Sequence, residues 1–282
     1  MKITEKAMLV RLKISQWTAR RFDFKATKKL IEDHGAKHDS GRFNKLLVDN
    51  IEVKKYQHAA SEARIFHYEN TLPWGDDNVR ILPSDNYLAY TQKMRELKSK
   101  FEKAAGEFIE EYPLLIEKAE TDLSGLFSSK DYPTPHELRG KFGFDISVTP
   151  VPTANDFRVS LSDDDVNRIK ADIEVRVKDS IVSAMDEAWE RLFRAVKHMA
   201  VKLAQDDAVF RDSLIGNIAE LCDILPKLNL TNDPKLTEII EDARKILVPL
   251  DPKELREKEI DRKKATVKAK EVLKKMTAYM GD

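Results

Sequence analysis

The sequence predicts a mainly α-helical protein with a small antiparallel β-sheet, and three observations carry that prediction. Two segments, 87–119 and 166–203, hold an apolar seam at helical spacing for many turns. Charged residues make up 35% of the chain while glycine occurs only 9 times in 282 residues, a composition suited to long solvated helices. Three stretches, near 8–14, 141–150 and 156–161, interrupt the helical pattern with alternating β-branched and aromatic residues.

In chain order, "MLVRLKI" at 8–14 carries Leu9, Val10, Leu12 and Ile14 around Arg11 and Lys13, which predicts a short strand. "FDFKATKKLIEDHG" predicts a short helix closed at Gly35, a residue that tolerates positive φ. A longer helix follows over 42–68, with Phe43, Leu47, Ile51, His58 and Ile65 near one face. The connector "NTLPWGDDNVRILPSDNY" at 70–87 is stiffened by Pro73 and Pro83 around a turn at Gly75. Ser84 is the predicted N-cap of the first long helix, whose seam is Tyr87, Tyr90, Met94, Leu97, Phe101, Ala104, Phe108, Tyr112, Leu115 and Ala119. That spacing alternates three and four as a heptad seam does, and Pro113 predicts a kink inside it.

Residues 141–150 and 156–161 read as a hairpin around the turn "VPTAND", with the strand at 8–14 as its third partner. Ser162 then caps a helix that opens on the acidic residues 163–165. Its seam is Val166, Ile169, Ile173, Val177, Ile181, Ala184, Ala188, Leu192, Ala195, Met199 and Leu203, and the two long seams predict a coiled-coil-like antiparallel pair. Shorter helices over 206–224, 234–247 and 252–279 predict a C-terminal helical bundle. The last of them is so polar that it is expected to fray or to dock onto a partner. The domain reading is an elongated helical domain with the small sheet at 1–205 and a C-terminal helical segment at 206–282.

Composition narrows the function classes. A formal net charge of zero argues against a protein that coats a polyanion along its whole surface. The lone Cys222 leaves no intramolecular disulfide and no thiolate zinc cluster, which fits a reducing cytoplasm, the expected location. The amino terminus lacks the apolar run of a signal peptide, and no window reaches the length of a membrane span, so no membrane partner is expected. His34 and His38 stand four apart but flank Gly35 at a helix end, so they read as solvated turn histidines rather than as metal ligands. No nucleophile elbow, phosphate-binding loop or dinucleotide fingerprint is present, and Glu107, Glu110 and Glu111 look like the solvated flank of a seam. The expectation is a non-enzymatic protein with no catalytic, metal or cofactor site.

Two surfaces remain as candidates. In the 70–87 connector, Trp74 is either a hydrophobic lid or an exposed anchor bracketed by Arg64 and Arg80, tryptophan and arginine being the residues that dominate interface hot spots. Near the amino terminus, Trp17 precedes "TARRFDFKATKK", which places Arg20, Arg21, Lys28 and Lys29 among Phe22 and Phe24. Cations for phosphates beside rings for stacking are what a nucleic-acid surface requires; the alternative is that the rings pack into the core.

Three segments also carry a resemblance: "EARIFHYENTLPWGDDNVRILPSDNY", "FEKAAGEFIEEYPLL" and "KFGFDISVTPVPTANDFRVSLSDD". An Ala-Arg before a Leu-Pro loop, a Phe–Phe–Tyr helix, and an aromatic strand followed by Pro-Val-Pro and Asp-Phe-Arg resemble an uncharacterised family of bacteriophage and prophage proteins, over about residues 8–205. Members are often encoded near MoxR-like or CobS-like AAA ATPases and von Willebrand A-type partners. The resemblance implies a helper or adaptor of such a machine and no catalytic residue. Together with the seams it predicts a homo-oligomeric interaction protein of the host-cell cytoplasm, with DNA or RNA binding through the basic amino-terminal region as the alternative.

Overall fold

The computed structural model describes residues 3–75, 77–157, 159, 161–205 and 209–280. The predicted class holds, with 68% of the chain helical and one small antiparallel sheet of four strands. The elements begin with α1 (Ile3–Lys6), β1 (Ala7–Ser15), β2 (Arg20–Phe22), α2 (Phe24–Asp33), β3 (Asn44–Leu46), α3 (Asn50–Glu69), β4 (Leu72–Pro73) and β5 (Arg80–Pro83). They continue with α4 (Tyr87–Leu123), α5 (Pro135–Arg139), β6 (Gly143–Pro150), α6 (Asp163–Leu203), α7 (Ser213–Leu228), α8 (Pro234–Ile246), α9 (Pro252–Glu257) and α10 (Glu259–Met280). The main sheet runs β4-β5-β1-β6, and β2 and β3 form a separate two-stranded ribbon.

The sheet differs from expectation in its partners. The strand expected at 156–161 is absent at the described positions 157, 159 and 161, while Arg158 and Ser160 lie outside the described residues. Val159 and Leu161 are 57% and 50% exposed, so the alternating pattern there has no core to face. Instead β1 pairs antiparallel with β5, Ala7 opposite Pro83 through Val10 opposite Arg80, so the connector at 70–87 supplies two of the four strands. Pro73 and Pro83 are each the last residue of their strand, where a missing backbone donor is tolerated. Ser84 is not the cap of α4; residues Ser84–Asn86 form a 3₁₀ turn, and α4 starts at Tyr87.

The chain divides into two compact units, each discontinuous in sequence. The helix-bundle unit comprises Met1–Arg11, Tyr68–Tyr90 and Ser147–Asp282; the aromatic unit comprises Leu12–His67 and Thr91–Ile146. Residues after 205 thus share a unit with α6 rather than standing apart from 1–205.

In the helix-bundle unit, α6 buries Ala184, Ala188, Leu192, Met199 and Leu203 against α7 and α10. Ten steps carry the α6 seam through 37 residues, from Val166 to Leu203, a period near the eleven-residue repeat rather than the heptad. Such a strip runs almost straight along the helix, and shorter helices cover it in succession. The polar α10 is not frayed: Ala265, Ala269, Val272 and Met276, spaced four, three and four, form a narrow strip buried along α6. The single helix expected over 252–279 is two, broken at the extended residue Lys258.

In the aromatic unit, α4 buries Met94, Leu97, Phe101, Phe108, Tyr112 and Ala119 as its spacing predicts. These seam residues meet rings of the same unit rather than a second coiled-coil strand. Tyr56 stands edge-on to Phe108 and Phe142 with centroids 5.1 and 5.0 Å apart, and Trp17 is edge-on to Tyr112 at 5.6 Å. The Tyr56 hydroxyl donates to the Trp17 carbonyl at 2.8 Å. Helix α3 begins at Asn50 instead of 42 because the ribbon takes 44–46. Its buried face is Val53, Tyr56, Ala59, Ala60, Ala63 and His67, while Ile51 and Ile65, expected inside, are 65% and 56% exposed. The packed face gathers three alanines around Val53 and Tyr56 and is not the one with the largest aliphatic residues. At Gly143 a Cβ would come within 2.7 Å of the Ser15 Oγ, so a larger residue there would force the Ser15 side chain to shift.

Candidate interaction surfaces

The bracketed tryptophan of the connector is a lid. Trp74 is 9% exposed, lies in the core cluster with Leu72, Ile81 and Trp189, and donates its backbone N–H to the Val79 carbonyl at 3.0 Å. Arg80 is equally committed. Its Nε donates to Thr71 Oγ1 at 2.6 Å, its Nη2 to the Thr71 carbonyl at 2.9 Å, and its guanidinium lies 4.8 Å over the Tyr68 ring. Arg191 of α6 reaches the same Thr71 carbonyl at 2.9 Å and the Glu69 carbonyl at 3.0 Å, with Glu187 3.1 Å from its Nε. Burial, with the like charge of Arg191 next, pushes the Arg80 pKa down to about 10. Arg191 therefore ties the segment before β4 to α6, and Arg80 closes β5 back onto that same segment. Arg64 belongs to the other unit and donates to the Ile14 carbonyl at 3.2 Å. Arg64, Trp74 and Arg80 are each committed to contacts within their own unit.

The basic amino-terminal residues separate into an inside and an outside. Trp17, at 8% exposure, is core and offers no face for stacking. The inside is organised by Lys45, opposite Arg21 in the ribbon. The Lys45 Nζ lies 2.8 Å from Asp131 Oδ2 and 3.0 Å from Asp23 Oδ2, and donates to the Leu126 carbonyl at 2.7 Å. Three acceptors thus match the three donors of the ammonium group. Burial alone would lower the Lys45 pKa, but the hydrogen bonds to Asp131 and Asp23 outweigh it and the pKa is raised. Asp23 is also the N-cap of α2: its carboxylate accepts the Ala26 N–H at 2.9 Å, which with Lys45 holds its pKa below the usual range.

The outside carries what the inside leaves over. Directly opposed residues of an antiparallel ribbon share a face, so Arg20, Phe22 and Asn44 stand opposite the Arg21–Lys45 side. The Arg42 guanidinium lies 4.9 Å over the Phe22 ring. Helix α2 buries only Thr27, and exposes Lys25, Lys28 and Lys29 together with Phe24 and Leu30. Arg21 sits 3.6 Å from Asp131, and Lys28 3.7 Å from Glu32. Among the described residues, Arg20, Lys25 and Lys29 have no ion-pair partner. Of the rings in this stretch, Phe22 and Phe24 are accessible where Trp17 is not, and Arg42 lies against Phe22.

The first half of α6 is a second feature, with its seam only half-buried. Ser162 caps it, accepting the Asp165 N–H and donating to the Asp165 carboxylate at 2.6 Å. Along 163–183 no residue is buried, although Val166, Ile169, Ile173, Val177 and Ile181 continue the seam that is buried from Ala184 onward. Val177 and Ile181 lean on the edge of the core, and Val175 and Val182 are 58% and 52% exposed.

Among the described residues there is no group of three or more His, Cys, Asp or Glu able to hold a metal, and His34 and His38 are exposed beyond the end of α2. The open cleft beside Trp189 and Tyr279 carries Asp186, Glu187 and Glu190, but Glu187 pairs with Arg191 and Arg194, and Glu190 with Arg194. No described helix is long and apolar enough to cross a membrane. No protein-family model, no curated protein and no solved structure matches the chain.

Proposed function

We propose that this chain is a non-enzymatic interaction protein that self-associates through the first half of α6. The observation that carries the reading is the contrast along a single helix. One seam is buried by α7 and α10 after residue 184 and only half-buried at Val166, Ile169, Ile173, Val177 and Ile181. Branched aliphatic residues held at seam spacing on a preformed helix favour a helical partner, because association removes their remaining apolar surface from water without further folding. A second copy supplies such a strip, and a two-fold contact covers both strips at once. The resemblance to phage and prophage proteins encoded beside AAA ATPases makes an adaptor role in such a machine the specific form of this reading, and that ATPase the partner to test first.

The test is the solution mass by light scattering at low and high salt. The expected result is an oligomer at both salts, because the contact is apolar, and a monomer for Ile169→Lys/Ile173→Lys with unchanged circular dichroism. A wild-type monomer at every concentration, or an oligomer indifferent to this double variant, refutes the reading.

A further inference from the structure

We infer that the outer face of the β2–β3 ribbon and the exposed side of α2 bind single-stranded nucleic acid. In this arrangement Arg20, Lys25, Lys29 and Arg42 meet phosphates, and Phe22 and Phe24 stack on bases. The inference stands apart from self-association, because this surface lies in the other unit.

Four features of the face converge. First, between residues 20 and 42 there are seven Lys or Arg against four Asp or Glu, in a chain whose net charge is zero. Second, the acids nearest the ribbon are already engaged: Asp23 and Asp131 face inward on Lys45, and Glu32 is held by Lys28. Of the remaining acids of the segment, Asp39 lies beyond α2, and Asp33 is exposed at the end of the helix, four residues after Lys29. Third, Lys25, Lys28 and Lys29 stand three and four apart, so they project from one side of α2. Fourth, Phe22 and Phe24 are 38% and 60% exposed among these cations, and the ring of Phe22 already carries a guanidinium. An exposed phenylalanine ring gains most from a flat partner, and every unpaired base offers one.

Unpaired bases distinguish the ligand from a duplex, which would satisfy the cations but hide its base faces from the rings. A lipid surface fits less well. Helix α2 is ten residues long and is locked to its unit by Thr27, whose hydroxyl donates to the Asp23 carbonyl and accepts the Phe43 N–H. It cannot roll to insert an apolar side, and Phe24 and Leu30 are separated by lysines.

The experiment is fluorescence anisotropy of the full chain with an end-labelled, mixed-sequence single strand of about 15 nucleotides, a length in the range of known single-strand sites. RNA and DNA are each measured at 50 and 200 mM salt. Four neutralised phosphates predict a logarithmic salt slope near −3, so affinity should fall by about 50-fold across that range. Arg20→Glu/Lys25→Glu/Lys29→Glu should abolish binding. Phe22→Ala/Phe24→Ala should weaken it by about tenfold or more while leaving the salt slope unchanged. Reversal of three exposed lysines on α10, Lys268→Glu/Lys270→Glu/Lys274→Glu, controls for overall charge and should have little effect. Circular dichroism checks that each variant is folded. Absence of binding at 50 mM salt, equal loss in the α10 control, or duplex binding indifferent to the two phenylalanines would overturn the inference. So would sedimentation with vesicles containing anionic lipid that the oligonucleotide fails to compete.

Discussion

Lys45 is the residue on which the architecture of the aromatic unit can be tested most sharply. Its side chain is 5% exposed and its two carboxylate partners, Asp23 and Asp131, are 15% and 16% exposed. Lys45→Met keeps the length and apolar stem but removes the charge. It leaves two poorly hydrated carboxylates facing each other and the Leu126 carbonyl without its donor. Breaking a buried ion pair from one side costs about 3–5 kcal/mol, because the surviving charge stays desolvated. The assay is urea unfolding followed by Trp17 fluorescence in a Trp74→Phe/Trp189→Phe background, so that the aromatic unit reports alone. Adding Asp131→Asn to Lys45→Met should recover part of the loss, since it removes one of two opposed charges. The pH dependence follows from the same geometry. The folded pKa of Asp23 lies below its ordinary 3.8, so its contribution is present above that value and lost as pH falls through the depressed one. The Lys45 pKa is raised above 10.5, so its contribution is full below 10.5 and lost as pH rises through the higher value. Lys45→Met should flatten the alkaline limb and remove Lys45's share of the acid limb. A loss under about 1 kcal/mol, or no recovery from Asp131→Asn, would refute the reasoning.

Two further outcomes follow from burial. Trp74→Ala should destabilise the helix-bundle unit by about 3–5 kcal/mol in urea unfolding, as for a large core aromatic, whereas an exposed anchor would change stability by under about 0.5 kcal/mol. Burial pushes the Cys222 thiol up to about 11 from an ordinary 9.0. Its contribution to stability is therefore complete below pH 9 and declines toward pH 11; the thiol should react with a disulfide reagent only as fast as the bundle opens, and native-rate labelling at neutral pH would contradict its placement.

What the sequence made legible was what repeats locally. The α4 seam predicted its buried face nearly residue by residue, because three-and-four spacing states which side of a helix faces inward. The α10 strip was hidden by the same logic, since a face of two alanines, a valine and a methionine barely rises above the polar background. The connector strands were missed because Leu-Pro pairs read as stiff loops, and pairing with β1 arises only from residues some seventy positions away. Arg64 and Arg80 look like surface arginines in sequence, for nothing local shows that their hydrogen bonds end on backbone carbonyls. The Lys45 node was equally silent: its acceptors Asp23, Leu126 and Asp131 come from two distant segments. The basic surface was half legible, because its composition is local but the division between buried Trp17 and exposed Phe22 and Phe24 is set by tertiary packing.

That division explains how a chain of zero net charge can carry a strongly cationic face. Outside the ribbon region, many cations are matched within one helix, as in Lys93–Glu96, Lys98–Glu102, Lys245–Glu241 and Lys263–Glu259. In the ribbon the nearest acids are instead drawn inward by one buried ammonium, which fixes the turn into α2 and leaves Arg20, Lys25 and Lys29 exposed and, among the described residues, without an ion-pair partner. The local field is therefore set by how pairing is distributed, and composition averages it away. It follows that Lys45→Met should act on both properties at once. Freed from the ammonium, Asp23 and Asp131 would add negative charge beneath the outer cations, so affinity for a single strand should fall even in the fraction of molecules that remain folded. Unchanged affinity per folded molecule would show that the inner node and the outer face are independent.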